Sequence, residues 1–214
     1  MITLTKSGLI VCASGTIEKS REEFAQKHCT ILPDFIEDNL LEKIIEHVDG
    51  ASFYENHHIT TDNVVFASDQ SISTRNIALH EVNFLLNNKQ LFRFIEQITG
   101  CSEIRGFSGR IYRTMPGQDH YLDWHDDTSE PNRLIGISIN LGKEKFDGGV
   151  FRIRRKGSES NLKEVSCTNA GYAHLFNISS QLEHSVTHVT SNIPRTVCAG
   201  WFTSTAYTKP ALAI

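Results

Sequence analysis

Apolar and polar positions alternate through the second half of the chain in short runs that are separated by turn residues. Runs rich in Ile, Val, Phe and Tyr predict eight strands, over 104–113, 120–126, 133–141, 149–155, 162–166, 172–177, 184–189 and 195–206. No helical period lies between them, which is typical of an antiparallel sandwich or barrel. The pattern therefore predicts a mainly β fold over residues 104–208.

Helical periods are confined to the first half of the chain. One apolar stripe runs through residues 40–48, between Asp38 as a potential N-cap and Gly50 just past the end. A second stripe predicts a helix over residues 88–99 that ends at Gly100. Because both helices precede the strands, we expect them to pack on one outer face of a sheet.

The segment 51–75 shows no sustained period, so the sequence predicts a long loop or a pair of irregular strands there. Long loops in compact domains are commonly lids or binding loops, and we expect this one to border the functional site. We interpret the chain as a single domain, 1–214, with an N-terminal helical support region at 1–103 and a β core at 104–208.

Composition and charge narrow the class of protein. The 214 residues are 39% hydrophobic and 21% charged, which is ordinary for one globular domain. The net charge of -4 provides no global field to attract nucleic acid or an anionic membrane. The five cysteines are scattered and include no C-x-x-C pair, and no apolar run is long enough to span a membrane. We therefore expect a soluble, cytoplasmic protein with no nucleic-acid or membrane partner, and leave monomer and homodimer open.

Candidate metal ligands lie at the end of one predicted strand and on another. Period-2 geometry predicts that His125 and Asp127 share a face, and His184 must come from a neighbouring strand. Two imidazoles and one carboxylate leave adjacent coordination positions open, as in non-heme Fe(II) oxygenases. His188 is an alternative to His184, because both would lie on one face of the same strand.

Arg195 is a candidate anchor for a co-substrate. It follows His184 by eleven residues, enough for the rest of a strand, a turn and the start of the next strand. Its planar guanidinium can bind a carboxylate through two hydrogen bonds. A 2-oxo acid that chelates a metal at one end would need such an anchor at the other.

These residues belong to a longer series of motifs in a fixed order. The series reads Tyr112-(x4)-Gly117-(x3)-Tyr121-(x2)-Trp124-His125-x-Asp127, Phe146-Asp147-Gly148-Gly149, Gly171-(x4)-Phe176, His184-x-Val186-(x2)-Val189-(x5)-Arg195 and Gly200-Trp201-Phe202. Over residues 104–204 the chain resembles the prolyl 4-hydroxylase-like branch of the Fe(II)/2-oxoglutarate-dependent dioxygenases.

The resemblance implies a double-stranded β-helix core, a jelly roll of cupin type. By the same resemblance His125, Asp127 and His184 bind Fe(II), Arg195 binds the C5 carboxylate of 2-oxoglutarate, and Tyr112 helps to hold that co-substrate. The chain departs from the family pattern at Val197, where many relatives have a hydroxyl residue, while the adjacent Thr196 would lie on the opposite face. A second contact to the carboxylate is therefore left open.

The implied reaction is hydroxylation of a C–H bond with Fe(II), 2-oxoglutarate and O2, with ascorbate as an optional reductant. The family branch suggests a prolyl or other residue in a peptide or protein as substrate. A free amino acid or a natural-product intermediate is the alternative, and a jelly-roll metal- or ligand-binding module is the non-enzymatic one. After the double glycine many relatives have an acidic residue, but this chain has Val150, which weakens any transfer of substrate preference.

The arginines, tryptophans and histidines outside the candidate metal and co-substrate site are interpreted as follows. Arg110 or Arg152 could face the barrel mouth and bind an acidic or peptide substrate. Trp124 and Trp201 are predicted to line the pocket or the core. The remaining histidines are predicted to be surface groups or core groups with satisfied hydrogen bonds: His57, His58, His80, His120 and His174.

Overall fold

The computed structural model describes residues 2–11, 14–59, 65–166 and 168–206. Its helices are α1 (Ser14–Lys27), α2 (Asp38–Asp49), α3 (Ile77–Leu86) and α4 (Lys89–Thr99). Its first strands are β1 (Ile2–Thr5), β2 (Gly8–Val11), β3 (Cys29–Leu32), β4 (Phe53–Ile59) and β5 (Val65–Ile72). The later strands are β6 (Gly106–Thr114), β7 (Tyr121–His125), β8 (Arg133–Asn140), β9 (Phe151–Arg155), β10 (Asn161–Val165), β11 (Ala173–Asn177), β12 (Leu182–Val186) and β13 (Arg195–Thr203).

Eleven of these strands form one antiparallel sheet. Its order is β10-β9-β12-β7-β5-β6-β13-β8-β11-β3, with β4 paired to β5 outside this path, while β1 and β2 form a separate hairpin. The sheet curls into a nearly closed, jelly-roll-like barrel, which confirms the predicted fold class. Within the described ranges, no helix combines the length and apolar character needed to cross a membrane.

All eight strands predicted in the second half are present, and their ends differ from the predictions by at most three residues. The predicted helices are also present as α2 and α4. Asp38 is the first residue of α2 and not its N-cap, because Glu37 occupies the cap position without a side-chain hydrogen bond. The N-cap of α4 is Asn88, whose side chain accepts from the backbone N–H groups of Gln90 and Leu91.

Two helices are absent from the predictions. The first, α1, is dominated by charged and polar residues, and it lacks the continuous apolar stripe that marks α2. The other, α3, is apolar on nearly every side, with Ile77 and Phe84 exposed to solvent, so its sequence has no clear helical period.

The aperiodic segment 51–75 folds mainly into the antiparallel strands β4 and β5, which pair from Phe53 opposite Ile72 to Ile59 opposite Val65. A pair of strands was one of its two predicted forms. The connection at 60–64 lies outside the described residues.

Alternate residues of the central strands face two different environments. On β13, Cys198 and Phe202 belong to an apolar cluster that includes Leu91 and Ile95 of α4. Arg195 lies an odd number of residues from both and therefore on the opposite face, where it points into the barrel and lines its cavities. The helices thus cover one face of the sheet, and the other face remains available for a functional site.

Candidate metal and co-substrate site

His125, Asp127 and His184 come together at one end of the barrel. His184 on β12 is paired directly with His125, the last residue of β7. One potential ligand atom from each of the three residues lies within 4.8 Å of the other two. Each of these sequence-predicted residues therefore reaches the same point.

The route by which Asp127 reaches this point differs from the prediction. The strand β7 ends at His125, and Asp127 lies beyond it with a φ of 59° in the left-handed region. The period-2 argument for a shared strand face was therefore wrong. The turn, and not the pleat, directs this carboxylate, and aspartate is among the few residues that adopt this conformation readily.

The orientation of the ligand atoms fits a metal ion. The Nε2 atom of His184 lies 3.3 Å from Oδ2 of Asp127, and Nε2 of His125 lies 3.7 Å from Oδ1. The Nδ1–H group of His125 donates to the backbone carbonyl of Asp123 at 2.7 Å. This hydrogen bond places the proton of His125 on Nδ1, so that its Nε2 atom carries the lone pair that coordinates a metal, as in many metal sites.

Electrostatics favour the protonation states that a divalent cation needs. Burial first, and then the charge of the neighbouring His184, lower the pKa of His125 to about 4. Burial alone would raise the pKa of Asp127, but the hydrogen bond and charge of His184 and the charge of His125 hold it well below its usual range. At neutral pH the site therefore offers a neutral imidazole at His125 and a carboxylate at Asp127.

Two further side chains, those of Trp201 and Arg133, contact the Asp127 carboxylate. The indole Nε1–H of Trp201 donates to Oδ2 at 2.8 Å, and Nη1 of Arg133 lies 3.3 Å from Oδ1. The guanidinium of Arg133 also stacks on the Trp201 ring, 3.7 Å from its centroid. Sequence reasoning placed Trp201 in the pocket or core but gave Arg133 no role, because a cation at the start of a strand usually indicates a solvated face.

Arg195 is buried beside the cluster, with 4% of its surface exposed. Its Nη1 donates to the hydroxyl of Tyr112 at 3.3 Å, and its Nη2 donates to Oγ of Ser138 at 3.5 Å. Gly149 adopts a φ of 56°, and a Cβ atom there would lie 2.8 Å from Cδ of Arg195. The double-glycine motif thus leaves room for the arginine side chain.

The neighbours of Arg195 on β13 explain why its partners come from other strands. Thr196 points to the opposite face, as predicted, where its Oγ1 accepts from Nε of Arg113 at 3.2 Å. Val197 points toward the barrel with Arg195 but offers no polar atom.

The cluster and Arg195 open into a common cavity of about 650 Å³. Tyr112, Phe151 and Phe176 form part of its wall, and His57 and His58 of β4 lie at its edge. Of the two arginines proposed for the mouth, Arg110 lines this cavity. Arg152 instead stacks on Trp124, 5.0 Å from the ring centroid.

Arg110 does not carry an unpaired charge into the cavity. Its Nη2 lies 2.6 Å from Oδ2 of Asp69, a carboxylate with only 4% of its side chain exposed. Its Nη1 also donates to Oγ of Ser71 at 2.9 Å.

The other histidines occupy varied positions. His188 lies after the end of β12, is largely exposed and is 3.3 Å from Asp119, so it does not join the cluster. His120 is buried with both ring nitrogens hydrogen bonded, to the N–H of Met115 and to Glu55. His174 contradicts its interpretation as a surface or satisfied group, because it is buried and its Nε2 has no hydrogen-bond partner.

Comparison with known proteins agrees with this geometry. Residues 109–203 match the family model described as the 2OG-Fe(II) oxygenase superfamily. This segment belongs to that superfamily. No curated protein matches the chain significantly. Oxygenases of the superfamily use Fe(II), 2-oxoglutarate and O2, and the His125, Asp127 and His184 donor set is of the type that holds such an iron.

Several solved structures share the fold of this chain. An oxidoreductase of the 2OG-Fe(II) oxygenase family from Burkholderia pseudomallei aligns with a TM-score of 0.67 at 17% identity, covering 96% of this chain and 97% of that one. A prolyl-4-hydroxylase from Pseudomonas putida aligns with a TM-score of 0.64 at 16% identity, covering 88% of this chain and 98% of that one. A prolyl hydroxylase from Trichoplax adhaerens aligns with a TM-score of 0.65 at 14% identity, covering 90% of this chain and 94% of that one. It was solved with a peptide fragment of the hypoxia inducible factor oxygen degradation domain.

Proposed function

We propose that this oxygenase hydroxylates a C–H bond of a prolyl or other amino-acid residue in a peptide or protein. The reaction consumes 2-oxoglutarate and O2 and yields the alcohol, succinate and CO2, which balances both oxygen atoms. The observation that carries the proposal is the shared cavity, because the three candidate ligands and Arg195 open into the same space.

In this proposal His125, Asp127 and His184 are the ligands of Fe(II). When bound, the iron supplies the redox chemistry by which O2 and the 2-oxo acid are activated. The residues of the chain contribute by holding the ligands and the co-substrate in position. Trp201 and Arg133 hold the Asp127 carboxylate in a fixed orientation through the contacts described above.

The proposed co-substrate lies between the ligands and Arg195. The guanidinium of Arg195 neutralises and orients the distal carboxylate, and Tyr112, whose hydroxyl is 3.3 Å from Nη1, adds a polar contact there. Phe151, Phe176 and Val186 supply apolar walls that keep water from the reacting atoms. Because Asp127 occupies a ligand position, no site is left there for a halide, and hydroxylation is favoured over halogenation.

A peptide substrate is supported by the shape of the cavity and by the relatives in fold. The cavity opens to solvent, and two of the structural relatives are prolyl hydroxylases, one of them with a bound peptide. A natural-product intermediate is the second candidate, since an α-ketoglutarate-dependent epimerase of nogalamycin biosynthesis also shares the fold, with a TM-score of 0.62 at 11% identity. A free amino acid belongs to the same small-molecule class.

Metal binding tests the ligand assignment. Anaerobic titration of the purified protein is expected to give one Fe(II) per chain, and His125→Ala, Asp127→Ala and His184→Ala are expected to lose it. His188→Ala is the matched control, because His188 is exposed and directed toward Asp119. Retention of iron in His184→Ala with loss in His188→Ala would refute the assignment.

Turnover tests the substrate class. Succinate formed from 2-oxoglutarate is measured with a panel of proline-containing peptides, free amino acids and aromatic polyketides. We expect stimulation by peptides together with a mass increase of one oxygen atom in the peptide. Stimulation of succinate formation by a small molecule alone would favour the second candidate. If 2-oxoglutarate is not oxidised under any condition, the remaining interpretation is a non-enzymatic metal- or ligand-binding module.

The segment 51–75 is proposed to act as a lid through its outer strand, β4, which pairs with β5 at the side of the sheet path. His57, His58 and Ile59 of β4 line the cavity, so ordering of β4 on substrate binding would cover the candidate iron. We predict that an active peptide slows backbone hydrogen exchange in β4 and β5. Protection that appears in strands β6–β13 but leaves β4 and β5 unchanged would contradict the lid.

We also propose that residues 1–214 act as one dioxygenase domain. The strands β3, β4 and β5 precede residue 104, yet they pair within the same sheet as the eight later strands. The cytoplasmic location and the oligomeric state stay predictions.

A further inference from the structure

His174 is a buried histidine that the proposed function does not use. It lies on β11 opposite Ser138 of β8, and 7% of its surface is exposed. Its Nε2 atom is fully buried and has no hydrogen-bond partner among the described residues. Buried polar atoms are nearly always paired in folded proteins, so an orphaned one points to a missing partner.

A second, small cavity lies against this residue. Its volume is about 20 Å³, and its lining includes His174, Asn140 and Val197. It shares Ser138, Phe151 and Arg195 with the large cavity, so these side chains form the wall between the two. About 10–15 Å³ on this measure holds one water, so the space suits a small group such as one end of a carboxylate.

The polar groups around the small cavity are not equally available. Asn140 is already committed, because its Oδ1 accepts from the N–H of Gly142 at 3.0 Å and its Nδ2 donates to the carbonyl of Thr168 at 2.7 Å. Val197 provides only methyl groups. His174 therefore adds an uncommitted polar atom near the guanidinium of Arg195.

Charge decides what kind of group fits. The residues that line the small cavity include Arg195 and no aspartate or glutamate. Burial first, and then the charge of the nearby Arg195, lower the pKa of His174 to about 3, so its imidazole is neutral at physiological pH. A neutral imidazole with Nε2 protonated donates one hydrogen bond, and a carboxylate accepts from it while satisfying the arginine.

We propose that His174 Nε2–H is a second anchor for the distal carboxylate of 2-oxoglutarate, beside Arg195. It supplies a polar contact that Val197, the next residue of β13 on this face, cannot make. This inference rests on the proposed function, because it assumes that Arg195 holds the co-substrate.

The test measures binding and not turnover. The protein is loaded anaerobically with Zn(II), and the dissociation constant of 2-oxoglutarate is measured by isothermal titration calorimetry. We expect His174→Leu to raise this constant about 10- to 100-fold, the equivalent of one lost hydrogen bond to a charged group. His174→Gln keeps an N–H donor and is expected to stay within about threefold of wild type.

A shorter ligand separates an anchor from a structural role. 2-Oxobutanoate keeps the chelating end of 2-oxoglutarate but lacks the distal carboxylate. If His174 is an anchor, His174→Leu leaves the affinity for 2-oxobutanoate unchanged. An equal loss of affinity for both acids, or no loss for 2-oxoglutarate, would overturn the inference.

Arg195→Met distinguishes failure of this inference from failure of the proposed function. If Arg195→Met abolishes 2-oxoglutarate binding while His174→Leu does not affect it, only the inference on His174 is overturned. If wild type binds no 2-oxoglutarate, or Arg195→Met binds it as tightly as wild type, the proposed co-substrate site fails as well. Thermal unfolding of each variant verifies that the protein measured is folded.

Discussion

The two faces of the central sheet are made by the same strands and have opposite character. On β8, Ile139 belongs to the apolar cluster under the helices, whereas Ser138 on the alternate face lines both cavities. On β13, Phe202 and Cys198 pack under the helices, whereas Arg195 faces the barrel. Strand parity therefore separates the residues that stabilise the fold from those that carry chemistry.

The largest effect that tests this separation is expected at Phe202. Its ring is fully buried, 5.1 Å from the Phe107 ring and 6.0 Å from the Phe92 ring. Phe202→Ala leaves a cavity in the helix-facing core and is expected to reduce the free energy of unfolding by about 3–5 kcal/mol, measured by urea titration. The affinity of the remaining folded protein for 2-oxoglutarate is expected to stay within about twofold of wild type.

Trp201, the preceding residue on the opposite face, provides the matched control. Trp201→Phe removes the N–H that donates to Asp127 at 2.8 Å but keeps most of the ring. We expect metal affinity to fall roughly tenfold with a stability loss of about 1 kcal/mol or less. If Phe202→Ala weakened metal binding more than Trp201→Phe did, the separation by parity would be wrong.

Asp69 tests the converse, whether a charged residue next to the cavity also stabilises the fold. Burial opposes its ionisation, but hydrogen bonds and charge from His58 and Arg110 outweigh burial and lower its pKa from 3.8 to about 2. The stabilisation is therefore present above pH 3.8 and is lost as the pH falls through 2. We predict that Asp69→Asn is less stable than wild type at pH 7 by roughly 2 kcal/mol, and that the difference shrinks toward pH 2.

Urea unfolding of both proteins at pH 7, 4 and 3 measures this difference. Glu55→Gln is a suitable comparison, since Glu55 also has a lowered pKa but lies on the surface of β4. A difference between wild type and Asp69→Asn that is constant from pH 7 to pH 3 would contradict the assigned role of the Asp69 carboxylate.

An effect of similar size is expected at Arg195, where only the geometry of the charge is changed. Arg195→Lys keeps the positive charge but loses the planar pair of donors, so the dissociation constant of 2-oxoglutarate should rise about 10- to 100-fold, or roughly 1.4–2.8 kcal/mol. Metal affinity and stability should change little. Arg113→Lys is the control on the opposite face, where Arg113 contacts Thr196 and the Phe53 ring; an effect there as large as at Arg195 would contradict the assignment.

The sequence predicted the β core well because short apolar runs between turn residues are a local property of the chain. Each of the eight strands is a short run rich in apolar residues and bounded by turn residues, and the motifs that contain His125, His184 and Arg195 lie on or next to them. The conformation of Asp127 could not be predicted in this way, because its left-handed φ of 59° arises from the turn after β7. The two missed helices have no clear amphipathic period, so only their packing against the rest of the chain defines them.

Residues whose significance depends on long-range contacts were also missed. Arg133 becomes important only because the fold places it against Trp201 and Asp127, and His174 only because β11 lies beside β8. In the sequence, each is one polar residue on or at the edge of a strand, which most often indicates a solvated or satisfied position. Tertiary pairing, and not local pattern, distinguishes them.

The left-handed backbone at Asp127 also determines which variants of this protein are easily reached. A glycine adopts this conformation without the steric penalty of a Cβ atom, of order 1 kcal/mol or more, that a valine or leucine would incur. A single nucleotide change converts an aspartate codon into a glycine codon. The substitution that removes the proposed carboxylate ligand is therefore also the one that the local backbone tolerates best, and it would vacate a position for an external anion. The proposed metal site can therefore lose its carboxylate ligand through a mutation that places little strain on the chain.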